Sequence, residues 1–334
     1  MLKYTLAVLA ACANATSSVL QRKANREAPR GQSLSLKLIW SLMHEPVWFG
    51  GVAAVTAGFL LQAAALGNGQ LSVVEPILVL ELPATLILAS RVFGSRLHRR
   101  EWGSAAVMTA GLAGLLYFLS PSAGRTEGVR WYTWIIAVSI NLAFIGVMVA
   151  WGRGAAGRKG ERGARQAAVL AVAAGSAFGL TAALIKGVTN VYAQGFGTLF
   201  TSWQLYGMIA AGALGMFLVQ SALRAGRLIA AQPGLTLSDP IVAILWGILV
   251  FHERVRGGWY IALAVISGLI MASAVIALAR SPLLSGEAAD TEEERDERPE
   301  EGNSGRSFAR SPDPGRDGDS QQSAIGPAPR RGER

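Results

Sequence analysis

Charge is scarce in this chain. Asp, Glu, Lys and Arg make up 16% of it, against roughly a quarter in ordinary globular domains. With 51% hydrophobic residues and a mean hydropathy of +0.35, the deficit points to a membrane protein before any motif is read. Cysteine is scarcer still, with Cys12 alone among 334 residues. A lone cysteine excludes a disulfide framework within the chain and a cysteine-based zinc site. Histidine occurs at His44, His98 and His252, which match no ligand spacing. No nucleophile–base pair and no ATP-binding element is present, so neither an enzyme nor a cofactor is expected.

What is present is apolar length. About twenty consecutive apolar residues span a bilayer, and nine stretches qualify: 2–20, 47–66, 71–94, 101–120, 131–151, 166–187, 198–220, 228–250 and 257–279. Segment 34–44, SLKLIWSLMHE, is too short to span and reads as an interfacial amphipathic helix. The expected fold class is an all-α integral membrane bundle of about nine transmembrane helices, its partner the lipid bilayer.

The net charge of +9 hides two unlike parts. Residues 281–334 hold thirteen acids and eight bases, about −5, and the first 280 residues about +14. The tail is rich in charge, Pro, Gly and Ser and buries too little apolar surface to fold, so it is expected to be disordered. The bases lie between apolar stretches, as the positive-inside rule requires, and no nucleic-acid module accompanies them; nucleic acid is not an expected partner. Loops one, three, five and seven carry Lys and Arg (Arg22 and Lys23, Arg99 and Arg100, Arg158 and Lys159, Arg224 and Arg227), whereas loops two and six carry none. Odd loops are therefore cytoplasmic, the N-terminus outside and the tail inside, at the plasma membrane. Arg254 and Arg256 in loop eight run against this pattern.

Two stretches mislead. MLKYTLAVLAACANA resembles a signal peptide, but its apolar stretch is short. GRGAAGRKGERGAR (152–165) lacks the ending of a phosphate loop and follows no strand; it reads as a basic linker.

VVEPILVLELPATLILAS, 73–90, places Glu75, Pro76, Glu81 and Pro83 in one apolar run. A carboxylate near the bilayer centre costs roughly 2.5–3.5 kcal/mol on insertion scales, and a proline inside a helix about 3 kcal/mol. A shift of 157 residues explains the pattern. LSVVEPILVLELPATLIL (71–88) then aligns without a gap with LIAAQPGLTLSDPIVAIL (228–245): Pro76 meets Pro233, Pro83 meets Pro240, Trp102 meets Trp259 and Gly111 meets Gly268. Glu75 meets Gln232, and Glu81 falls one position from Asp239. The third and eighth stretches would cross in opposite senses, an inverted repeat of the kind common in secondary transporters, whose sites lie at mid-membrane helix breaks. Residues 1–120 form the first repeat, 121–165 a linking helix and basic loop, and 166–280 the second repeat. Glu81, Asp239, Glu75 and Gln232 are the candidate substrate or ion ligands, and Pro76, Pro83, Pro233 and Pro240 the candidates for shaping the cavity. Asn14, Gln62, Asn141, Gln204 and Gln220 read mainly as packing amides. Lys186 reads as a snorkelling helix end, and Glu253 and Arg254 as a solvated end.

The run from Ala64 to Leu116 and its partner from Ala222 to Ile270 resemble the drug/metabolite transporter (EamA-like) superfamily: a short loop, a helix with a central proline, a charged cluster, then a glycine-bearing last helix. His252-Glu253-Arg254 resembles that superfamily's helix-end element. The nine-span layout, SSVLQRKA and GSAFGLTAALIKG resemble its NIPA-type magnesium transporter branch, although Gly58-Phe59-Leu60-Leu61-Gln62 stands where that branch carries a more polar stretch. The resemblance implies a secondary transporter of a small solute or cation working by alternating access, with proton or cation coupling. Buried carboxylates favour their neutral form unless paired, which suits such coupling. A divalent-cation transporter and a non-transporting scaffold acting through the tail are the other readings. The metal ligands and substrate stay open, as does a homodimer.

Overall fold

A computed structural model describes residues 1–27, 46–94, 97–122, 124, 129–154, 161–193, 195–226 and 228–279, all within one compact unit. Segment 34–44, residues 155–160 of the basic linker and the tail lie outside the described residues.

The described chain is helical, with no strand. The helices are α1 (Leu2–Glu27), α2 (Pro46–Asn68), α3 (Leu71–Leu78), α4 (Glu81–Val92), α5 (Arg99–Leu119), α6 (Trp131–Gly154), α7 (Glu161–Tyr192), α8 (Phe196–Leu199), α9 (Trp203–Ala225), α10 (Leu228–Leu249) and α11 (Trp259–Ala279). Among the described residues seven helical stretches are long and apolar enough to cross a membrane: α2, α3 with α4, α5, α6, α7, α9 and α11. The two remaining stretches of the expected nine, α1 and α10, are helices too, outside this set. Lys3, Asn14, Gln21, Arg22 and Lys23 stand in α1, and Gln232, Asp239 and two prolines in α10. The outer surface is oily: Ile140, Phe217 and Leu269 are 66%, 68% and 65% exposed. An apolar surface this extensive is compatible with lipid rather than water as its solvent.

Small residues set the packing. Helix α7 is the hub, lying against α6, α9 and α10, and its inner face is built largely from alanines such as Ala173, Ala174, Ala177 and Ala183. On it, Gly175 and Gly179 form a pair four residues apart that lets α10 approach closely. A Cβ at Gly175 would fall 2.6 Å from the Leu235 carbonyl oxygen, and one at Gly179 2.8 Å from Val242 Cβ. In the other half α1 packs on α2, α3 and α4. Helices α5 and α11 pack together, where a Cβ at Gly111 would meet the Met271 backbone at 2.7 Å. Trp134 sits 5.2–5.7 Å (ring centroids) from Trp203, Trp246 and Phe251, binding α6, α9 and α10 by aromatic contact.

Candidate functional site

The polar centre begins with a helix break. Pro83 has no amide proton, so the Val79 carbonyl lacks its usual partner four residues on. The backbone tightens instead: Val79 N–H donates to the Pro76 carbonyl at 3.3 Å, Leu80 N–H to Ile77 at 3.0 Å and Leu82 N–H to Val79 at 3.1 Å. These are three-residue closures of the 3₁₀ kind. They end α3 at Leu78 and start α4 at Glu81, so Glu81 stands at the break. The repeat-related helix differs, since α10 runs unbroken from Leu228 to Leu249 through Pro233 and Pro240. Only one of the two expected breaks is present.

Beside the break lies a cavity of about 590 Å³. Glu75 from α3, Glu81 from α4, and Gln232 and Asp239 from α10 all line it, with Pro240. Asn14, Gln62, Thr181 and Thr236 add polar groups, and Phe59, Phe178 and Met208 add soft apolar ones. No basic side chain lines it among the described residues. Glu75 is 2% exposed, and its Oε1 accepts a hydrogen bond from Gln62 Nε2 at 2.9 Å. Glu81 Oε1 accepts a long one, 3.4 Å, from Ser18 Oγ. Asp239 Oδ1 is buried and accepts none from the described residues. The close approach at Gly175 and Gly179 holds this part of α10 in place, since Gly179 faces the Asp239 carbonyl. Among the described residues no three acid, His or Cys side chains come close enough to hold a metal ion.

The remaining prolines lie off the cavity wall. Pro76 and Pro83 are buried within α3 and α4, and Pro233 faces a different cleft. Their influence on the cavity acts through the backbone.

A second polar cluster overturns two expectations. Glu253 is not a solvated end and Lys186 does not snorkel: each is 3% exposed, and they pair at 3.2 Å. His252, at φ 50°, turns the chain back after α10, and Glu253 N–H donates to the Gly247 carbonyl at 2.9 Å. The Glu253 carboxylate thereby reaches the start of α3, accepting from Leu71 N–H at 2.7 Å, Ser72 N–H at 3.0 Å and the Ser72 hydroxyl. An anion suits the partial positive charge and free amides of a helix N-terminus. Lys186 also donates to the Gly69 carbonyl at 2.5 Å. This cluster knots α7, α3 and the turn after α10. In the sequence its traces were the His252-Glu253-Arg254 element after a proline-bearing helix and Lys186 within GSAFGLTAALIKG.

With that geometry in place, relatives can be compared. The chain is 31% identical over 283 residues to the uncharacterized protein Cgl0250/cg0304 of Corynebacterium glutamicum, a match covering 83% of this chain and 95% of that protein. The chain belongs to that protein's family. The family likeness thus runs through nearly all of the corynebacterial chain, whereas about a sixth of the present chain falls outside it. No protein-family model and no solved structure matches the chain.

Proposed function

We propose that this protein is a secondary-active transporter of a small solute or cation, working by alternating access at the plasma membrane. One observation carries the reading: Glu75, Glu81 and Asp239 line a single cavity within apolar helices, and among the described residues no basic side chain lines it. Carboxylates at such depth are costly and rarely kept without a function. A cavity of this composition attracts a positive charge, either a proton or a cationic group of the cargo. Phe59 and Phe178 in its wall are of the aromatic kind that can hold such a cation, and the Asp239 oxygen with no donor among the described residues is a ready acceptor.

The finer architecture belongs to the same proposal. Nine crossings, counting α1 and α10, would put the two ends on opposite sides, and the basic odd loops favour the N-terminus outside and the tail inside. Packing supports an inverted repeat of the drug/metabolite transporter type: α1 lies on α2 and α3–α4 as α7 lies on α9 and α10. The scattered carboxylates favour a monovalent or organic cation over the magnesium of the NIPA-type branch. Magnesium would need most of its waters kept to fit here.

The test joins binding to flux. Purified protein is screened by thermal shift against magnesium, monoamines, diamines and amino acids, and stabilising compounds are followed in proteoliposomes. Glu81→Gln and Asp239→Asn are expected to abolish flux while folding and insertion stay intact. Wild-type flux in both variants would sink the site assignment.

A further inference from the structure

Helix α10 is a wall between two cavities. Its Gln232, Leu235, Thr236 and Asp239 face the carboxylate cavity, while Pro233, Leu237, Ser238 and Ile241 face another on the opposite side. This second cleft, about 820 Å³, lies between α6 and α10 over α7. Its walls are apolar, with Ile136, Phe144, Val172 and Leu245 among them. At the rim Ile140 is 66%, Ile241 56% and Leu249 64% exposed, so the cleft opens sideways, towards lipid when the helices cross a bilayer.

Two polar groups are out of place in it. Asn141 and Ser176 line the cleft, 8% and 0% exposed. Asn141 Oδ1 and Ser176 Oγ have no hydrogen-bond partner among the described residues. Buried polar atoms are nearly always paired, and in a bilayer no bulk water stands in. Of the other polar groups, the Ser238 hydroxyl already donates to the Gly234 carbonyl at 2.6 Å, and Tyr132 and Thr133 stand in the first turn of α6.

Depth narrows the guest. Asn141 is the eleventh of 24 residues in α6, and Ser176 the sixteenth of 32 in α7. Both stand about half-way along helices that would cross the membrane, roughly 15 Å from either edge of the hydrocarbon. A phospholipid headgroup stays at the edge. A group that reaches the middle must be uncharged, because charge there is penalised. We infer that the α6–α10 cleft binds a lipid-soluble, uncharged molecule bearing a hydroxyl or amide group, which enters from the bilayer and hydrogen-bonds Asn141 and Ser176. This site is separate from the carboxylate cavity and does not depend on transport through it.

The test uses the full-length protein in phosphatidylcholine nanodiscs with two photoactivatable diazirine probes, a hexadecanol and the matching hexadecane. Irradiation and peptide mass spectrometry read the labelling at residues 136–144 and 237–245. The alcohol is expected to label these peptides about fivefold more than the alkane, the factor one net hydrogen bond supplies. That preference should fall in Asn141→Leu and in Ser176→Ala. The serine change removes a single oxygen, so it keeps the test decisive if the leucine variant misfolds. Equal labelling by both probes in the wild type would mark the cleft as a groove for lipid chains only and overturn the inference. Cross-links joining two copies at these peptides, or an alcohol preference undiminished in Ser176→Ala, would overturn it as well.

Discussion

Lys186 and Glu253 lie 67 positions apart in the chain and meet out of contact with water. Desolvating two charges costs several kcal/mol each, and their attraction offsets that only when the remaining valences are filled. Here they are: Glu253 has two backbone amides and the Ser72 hydroxyl, and Lys186 has the Gly69 carbonyl and the Phe251 ring face at 5.4 Å. Gly247 leaves the carboxylate its space, since a Cβ there would fall 2.4 Å from Glu253 Oε2. Lys186→Met should therefore destabilise the protein by about 3–5 kcal/mol, the cost of stranding one buried charge, seen as a large fall in Tm in detergent. Adding Glu253→Leu should recover part of that loss but not all, because the two α3 amides lose their cap. Strictly additive effects in this double-mutant cycle would mean that the two residues act independently and that the ion pair stabilises nothing.

At the scale of the element, the two proline-bearing helices respond differently to similar sequences. Around Pro83 the backbone breaks and presents Glu81; around Pro240 it does not, because α10 is clamped against the glycines of α7. That clamp makes a paired prediction. Gly175→Ala should cost about 1–3 kcal/mol, since the added Cβ must displace the Ser238 hydroxyl and the α10 backbone. Gly146→Ala, where a Cβ meets nothing within 4 Å, should be neutral or gain up to about 1 kcal/mol. Equal effects, measured by thermal unfolding in the same detergent, would remove the clamp. This contrast also shows what a sequence can and cannot display. Helical class and seven apolar stretches are legible because hydropathy is a local, additive property. Glu75, Glu81, Gln232 and Asp239 could be named together because the repeat alignment relates their helices, and they share one cavity. The unbroken course of α10 and the burial of Lys186 and Glu253 were not legible, since both depend on partners supplied by distant helices. The same holds for Gln62: its contact with Glu75 needs α2 and α3 laid side by side.

For the whole molecule, the open quantity is the number of crossings, and it turns on α1 and α10. Both are helical, and both carry a polar residue near mid-length, Asn14 in α1 and Asp239 in α10. If each crosses, the chain passes nine times and its ends lie on opposite sides of the membrane. If neither does, it passes seven times, and the residues flanking each helix lie on one side. Length favours crossing: Leu2 and Gln21 are separated by roughly 28 Å of helix, close to the 30 Å of hydrocarbon. Location favours it too, because both helices carry residues that line the central cavity, Asn14 on α1 and Asp239 on α10, and a helix lying on the surface could not place them among buried α3 and α7 residues. Cys12 is the native cysteine, so Cys12→Ser provides a clean background for single-cysteine labelling with a membrane-impermeant maleimide on intact cells. Leu2→Cys and Arg256→Cys are expected to react from outside, and Gln21→Cys and Arg224→Cys only after the membrane is opened. Labelling of Leu2→Cys and Gln21→Cys from the same side would take α1 out of the membrane and break the pairing of the two halves. The same result for Arg224→Cys and Arg256→Cys would do so for α10, and would leave Asp239 without the depth that makes its carboxylate costly.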